Sequence, residues 1–209
     1  MNAAPIRTRR DEAADDTKRR LTAAAVALVE KIGWRAATVE RIAADAGVAK
    51  GTFFVHFPNK EALVETLVGL QTRAARRARE EEPTRKSPIA RLRATVLTLG
   101  RQAGTSIELS RAVLVATMQS PDIAQSVDAM FGELYDAMLA DAREAIHAGL
   151  IRGIDADGLT NMLMASYLGA ALHCTTSRRA KPLEEVLAPL VDATLSAFSV
   201  TKKKRRKSK

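Results

Sequence analysis

The side chains best suited to holding an anion are gathered in one short stretch of this chain. Residues 38–60 read TVERIAADAGVAKGTFFVHFPNK, with Thr38, Lys50, Thr52, His56 and Lys60 spaced among apolar residues. Hydroxyl and ammonium groups close to helix starts, where backbone N–H groups lack partners, suit phosphate oxygens. Three of the eight aromatic residues, Phe53, Phe54 and Phe57, fall in the same stretch. Covalent and metal chemistry find no such concentration. His56, His147 and His173 show no metal-ligand spacing, and the single cysteine, Cys174, supplies neither a thiolate zinc site nor an intramolecular disulfide. A P-loop, GxGxxG and GxSxG are all missing from the sequence. His173 and Cys174 are neighbours, but on a helix they point about 100° apart and read as packing or pocket-wall residues. The expectation is a protein that is not an enzyme and needs no cofactor or metal.

The elements that must hold these residues are short helices. Thr38 is a good N-cap for a helix to Ala46, with Glu40 in its first turn and Val39, Ile42, Ala43 and Ala46 on one apolar face. Gly47 supplies a turn that a Cβ would resist, and Val48 fills the angle behind it. A second short helix from Ala49 to about Val55 leaves Lys50 and Thr52 outward and turns Phe53 and Phe57 inward. Two such helices joined by a glycine turn form a helix-turn-helix, whose second helix enters the major groove of duplex DNA. Asn59 caps a longer helix to about Arg79, placing Lys60 at its start.

The segment resembles the TetR family of bacterial transcriptional regulators. The likeness is carried by an opening amphipathic helix ending at Gly33, Thr38, the run IAADAGVAKGTFFVHF, and Asn59-Lys60-Glu61-Ala62-Leu63; it covers about residues 17–66. It implies that Thr38 caps the second helix and reaches a phosphate. Lys50, Gly51 and Thr52 would stand at the front of the recognition helix, facing bases or nearby backbone. Phe54 and His56 would lie against the sugar-phosphate chain, and Lys60 would hold a phosphate. Position 49 is Ala where the family often has Ser, and position 54 is Phe where Tyr is usual, which removes a cap and a hydroxyl. Read alone, His56 could equally cap or pack the end of its helix.

Beyond residue 60 the apolar residues continue at helical spacing, with helices expected at about 88–103, 106–118, 122–150, 156–178 and 183–199. The fold class is therefore all-α, with about nine helices: a three-helix DNA-binding domain and a larger C-terminal bundle. The expected layout is a flexible arm over residues 1–16, the helix-turn-helix domain over 17–60, a ligand-binding and dimerisation domain over 61–199, and a disordered basic tail over 200–209. A homodimer would set two recognition helices on a palindromic operator. Family resemblance puts the contact in the last two helices, where Ala165, Leu168, Gly169 and Leu172 face Leu187, Leu190, Val191, Thr194 and Phe198; the same residues could form an intramolecular core. Met118, Phe131, Tyr135, Met138, Met162, Tyr167 and His173 are the adaptable or amphipathic side chains for a ligand pocket, or simply a core stripe. Arg143, Arg152, Arg178 and Arg179 are the only Lys or Arg residues from 120 to 180, which favours a neutral hydrophobic effector.

Charge sharpens this reading. The net +9 divides into +4 for residues 1–60, +1 for 61–80, −3 for 81–201 and +7 for 202–209. The tail suits a non-specific DNA tether or a plain solvated terminus. With neither a signal-like run nor a membrane-length apolar stretch, the expected place is the cytoplasm with no membrane partner. The function expected is a ligand-responsive repressor. The alternatives are a transcriptional activator, or a weakly specific or architectural DNA-binding protein without a ligand.

Overall fold

The computed structural model describes residues 9–81, 87–177, 179 and 181–200, apart from the side chain of Arg10. Nine α-helices fall among the described residues: α1 (Arg9–Ile32), α2 (Val39–Asp45), α3 (Lys50–His56), α4 (Ala62–Glu81), α5 (Pro88–Gly104), α6 (Ile107–Gln119), α7 (Pro121–His147), α8 (Ala156–Thr176) and α9 (Leu183–Phe198). None is long and apolar enough to cross a membrane. The chain divides into two compact units. One takes the described residues up to Gly69 with Ser106–Val127, the other Leu70–Thr105 with the described residues from Asp128 on.

In the first unit, the core joins Leu21, Ala25, Leu28 and Val29 of α1 to Ile42, Phe53 and Phe57, with Leu63 and Ala112 closing it. Val39, Val48, Trp34 and Leu109 pack at its margin. The helix-turn-helix domain therefore does not end at residue 60. One long and two short helices do not cover this core by themselves, and the start of α4 with α6 completes it. Val29 of α1 is buried, and Ile32, at the end of the same helix, is exposed. Gly33 (φ +79°) stops α1 and Gly47 (φ +67°) turns the chain between α2 and α3, both in the left-handed region that favours glycine.

Helix α1 starts at Arg9, so residues 9–16 are helical and not part of a flexible arm. Asp11 and Glu12 lie in its first turn, complementing the positive end of the helix. Asp16 pairs with Arg19 at 3.0 Å and Arg20 at 3.6 Å, the spacing at which mixed charge supports a helix. Residues 1–8 and the basic segment 201–209 lie outside the described residues. Val200, expected in the tail, donates its N–H to Leu150 O at 2.9 Å.

In the second unit, α5, α8 and α9 pack together. Gly100 lets α9 come close: a Cβ there would stand 2.5 Å from Leu187 Cδ2. Asp155 caps α8 by accepting from Gly158 N at 2.7 Å. Helix α7 ends at His147, before the expected residue 150, because Gly149 (φ +68°) turns the chain out of the helix. Asp141 of α7 is buried and accepts from Arg79 Nε at 2.7 Å, Arg79 Nη2 at 2.9 Å and Arg91 Nε at 2.8 Å. Arg91 also donates to Glu144. Burial opposes the charge of Arg91, but Asp141 and Glu144 outweigh it and raise its pKa.

Candidate nucleic-acid interface

Helix α2 starts where Thr38 accepts from Arg41 N at 3.4 Å, so the expected cap is formed. Helix α3 has no side-chain cap at Ala49, leaving Thr52 N bonded to Ala49 O at 2.9 Å. Packing holds α3 instead. Phe53 and Phe57 are buried with ring centroids 5.3 Å apart, and Phe54 sets its ring edge-on to Phe53 at 5.5 Å. This anchoring fixes which side of α3 faces outward.

The outward side carries Lys50, Gly51, Thr52, Phe54 and Val55. Phe54 is 47% exposed and Val55 79%. Around Gly51, a built Cβ would meet nothing within 4 Å. Apolar side chains of this kind can meet the thymine methyl or sugar edges of a duplex. Val55 is not among the residues singled out from sequence; its exposure follows from the inward turn of Phe53 and Phe57, each two residues away and so on the opposite side of the helix. His56 is half-buried at the end of α3.

Two lysines behave differently. Lys50 Nζ stands 2.5 Å from Glu40 Oε1, with the two side chains 56% and 59% exposed. The Lys50 ammonium, the Glu40 backbone N–H and the Thr38 hydroxyl together hold the Glu40 carboxyl at about 2. Glu40 thus sits between two residues expected to meet DNA, a position that its reading as a helix-dipole partner does not convey. Lys60 points inward: Nζ donates to Trp34 O at 2.7 Å and lies 4.2 Å from the Trp34 ring centroid. Desolvation lowers its pKa. It lies before α4, which starts at Ala62 with Ala62 N bonded to Asn59 Oδ1 at 2.8 Å.

The candidate ligand residues are not all brought together. Met118 is 76% exposed, and Met162 and His173 also lie at the surface. Periodicity marks a face, and these three occupy the outer one. Met138 and Tyr167 are buried in the second unit, Phe131 lies beside Tyr167 with centroids 6.2 Å apart, and Tyr135 donates to Asn161 Oδ1 at 3.1 Å. Burial pushes the Tyr167 phenol up to about 12, keeping it neutral. A cleft of about 350 Å³ lies in the first unit, lined by Trp34, Asn59, Glu61, Glu65, Gln119 and Asp122 among others, and includes none of the candidate ligand residues. The expected dimer face also divides: Leu187 and Val191 are fully buried within the unit, whereas Ala165, Leu168, Gly169, Leu172 and Leu190 remain exposed.

Comparison with known proteins agrees with this geometry. Residues 21–67 match the model for bacterial regulatory proteins of the tetR family. Over 50 residues the chain is 38% identical to YerO of Bacillus subtilis (strain 168), described as an uncharacterized HTH-type transcriptional regulator. A second regulator of the same description and organism, YvkB, is 44% identical over 52 residues. These matches cover 24% and 25% of this chain but only 17% and 28% of the relatives' own lengths. The fold likeness is wider. The crystal structure of the transcriptional regulator FadR from Bacillus subtilis in complex with stearoyl-CoA superposes with a TM-score of 0.73 at 18% identity, covering 86% of this chain and 98% of that one.

Proposed function

We propose that the protein is a transcriptional regulator of the tetR family, a ligand-responsive repressor that binds a palindromic operator as a homodimer in the cytoplasm. The observation that carries this reading is the α2–turn–α3 unit, held from behind by Phe53 and Phe57 and presenting Lys50, Gly51, Thr52 and Phe54 outward. In it, Lys50 and Thr52 read base edges, while Thr38, Phe54 and His56 contact the sugar-phosphate backbone. Lys60 joins them through the ammonium donors that Trp34 O leaves available.

The exposed apolar stripe of α8 and α9, with Leu168, Leu172 and Leu190, is the surface on which two copies meet. A buried effector is neutral and hydrophobic where it meets Phe131, Met138 and Tyr167. This choice is supported by the pairing of bases in the same unit: Arg76 with Glu133, Arg93 with Asp192, and Arg79 and Arg91 with Asp141. The stearoyl-CoA bound by one similar structure offers a long acyl chain as a first probe. Helix α4 belongs to both units, and effector binding acts on DNA through it. Thermodynamic reciprocity then requires effector and operator to weaken each other, typically by ~1–3 kcal/mol.

Selection of bound fragments from genomic DNA by the full chain tests the reading. The expected result is one two-fold-symmetric site, bound by two copies and retained against excess random duplex at fixed salt. Recovery of fragments without a shared site would replace specific regulation with architectural binding. Acyl-chain ligands that leave operator affinity unchanged would remove that effector class from the scheme.

A further inference from the structure

Glu40 is the one acid whose carboxylate touches an outward-facing side chain of the recognition helix among the described ion pairs. It stands in the first turn of α2, 2.5 Å from Lys50 Nζ, and both partners are more than half exposed. We infer that Glu40 is a specificity-determining residue, which restrains Lys50 from phosphates and leaves it free to donate to base edges. The inference rests on the DNA-binding reading above and assigns this acid a role within the same site.

The argument is electrostatic. An exposed ion pair is weak and readily exchanged, because water screens both partners. Lys50 can therefore leave Glu40 for a better acceptor. A phosphate oxygen is a poor replacement, since its own charge must approach a carboxylate held ionised next to the same ammonium. The O6 and N7 atoms of guanine are uncharged acceptors and meet no such repulsion. Phosphate contacts dominate sequence-independent binding, and base-edge contacts dominate discrimination. A carboxylate beside the reading lysine thus weakens the first kind of binding more than the second.

The neighbouring charges do not cancel this effect. Arg41, the next residue on α2, donates its guanidinium to Ala36 O at 3.0 Å. Lys60 is turned onto Trp34. The carboxylate also stays ionised in ordinary buffers, with Lys50 the largest cause of its depressed pKa of about 2. If Glu40 served only the positive end of α2, its removal would alter all duplexes alike.

The test compares full-length wild type with Glu40→Gln on the selected operator and on a random duplex of equal length, across a salt series. Glu40→Gln is expected to bind random DNA severalfold more tightly and the operator nearly unchanged, so that the specificity ratio falls. The salt slope on random DNA should steepen by about 0.9, the amount for one further phosphate contact. In the Lys50→Ala background the same change should have no effect on the ratio. An equal change on both duplexes, an unchanged random-DNA affinity, or an undiminished effect without Lys50 would each overturn the inference. Absence of any site preference in the wild type would overturn the regulator reading itself, and is seen before the variant is made.

Discussion

Lys50–Glu40 and Arg79–Asp141 are built from the same chemistry at similar distances, 2.5 and 2.7 Å, yet they sit in opposite environments. The first stands in water on α2 and α3. In the second, Asp141 is buried between the two guanidinium groups of Arg79 and Arg91. Water makes the first pair exchangeable, as a recognition surface requires. Burial makes the second permanent, since either partner alone would be a desolvated charge. The first pair leaves Lys50 exchangeable at the surface, and the second uses Arg79 and Arg91 to join α4 and α5 to α7.

The largest effect should come from breaking the buried side of this contrast. Asp141→Ala leaves Arg79 and Arg91 facing each other and should cost about 3 kcal/mol of stability, read by denaturant unfolding. A loss below about 1 kcal/mol would mean the two arginines reach water and the pair is no anchor. Lys50→Ala should leave the unfolding midpoint in place. Its effect belongs on DNA, as roughly a tenfold loss of discrimination at one base pair of the operator. Equal weakening on every operator variant would make Lys50 a phosphate contact.

Lys60 lies between these extremes and gives the smallest effect. Its folded pKa is depressed below 10.5 by burial, so the folded state gives up this proton more readily than the unfolded chain does. Stability relative to Lys60→Met should therefore rise as pH climbs from the depressed pKa toward 10.5 and level off beyond it. Parallel stability curves for the two proteins would show that the Lys60 ammonium is as well solvated as in the unfolded chain.

Local features were legible in the sequence. Thr38, Gly33 and Gly47 mark boundaries through one residue's own hydrogen bond or φ, and the structure has all three where expected. Phe53 and Phe57 are inward together because four residues of helical spacing put them on one side, where the core covers both. What escaped depends on residues far apart in the chain. Arg79 and Arg91 are separated by 62 and 50 positions from their common partner Asp141, and nothing local in the sequence joins them. The inclusion of α6 in the first unit has the same cause, as does the dispersal of Met118, Met162 and His173. The start of α1 differs from the expected arm for another reason: mixed charge supports a helix where i,i+3 and i,i+4 pairs form, as Asp16 does with Arg19 and Arg20. His173 and Cys174 diverge as helix geometry demands, the histidine exposed and the buried Cys174 Sγ directed to Lys181 O at 3.5 Å.

The bare cap at Ala49 reaches beyond the helix it fails to close. Helices α2 and α3 have seven residues each, but only α2 has a side chain closing its first turn. Local opening begins at such ends, so the first amides of α3 should exchange with solvent ahead of those of α2, which hydrogen exchange would read. The outward face of α3 is thus anchored firmly by its aromatic underside and loosely at its leading edge. A helix held in this way can settle its first turn against the base pairs it finds, and imperfect half-sites become tolerable without loosening the core behind it.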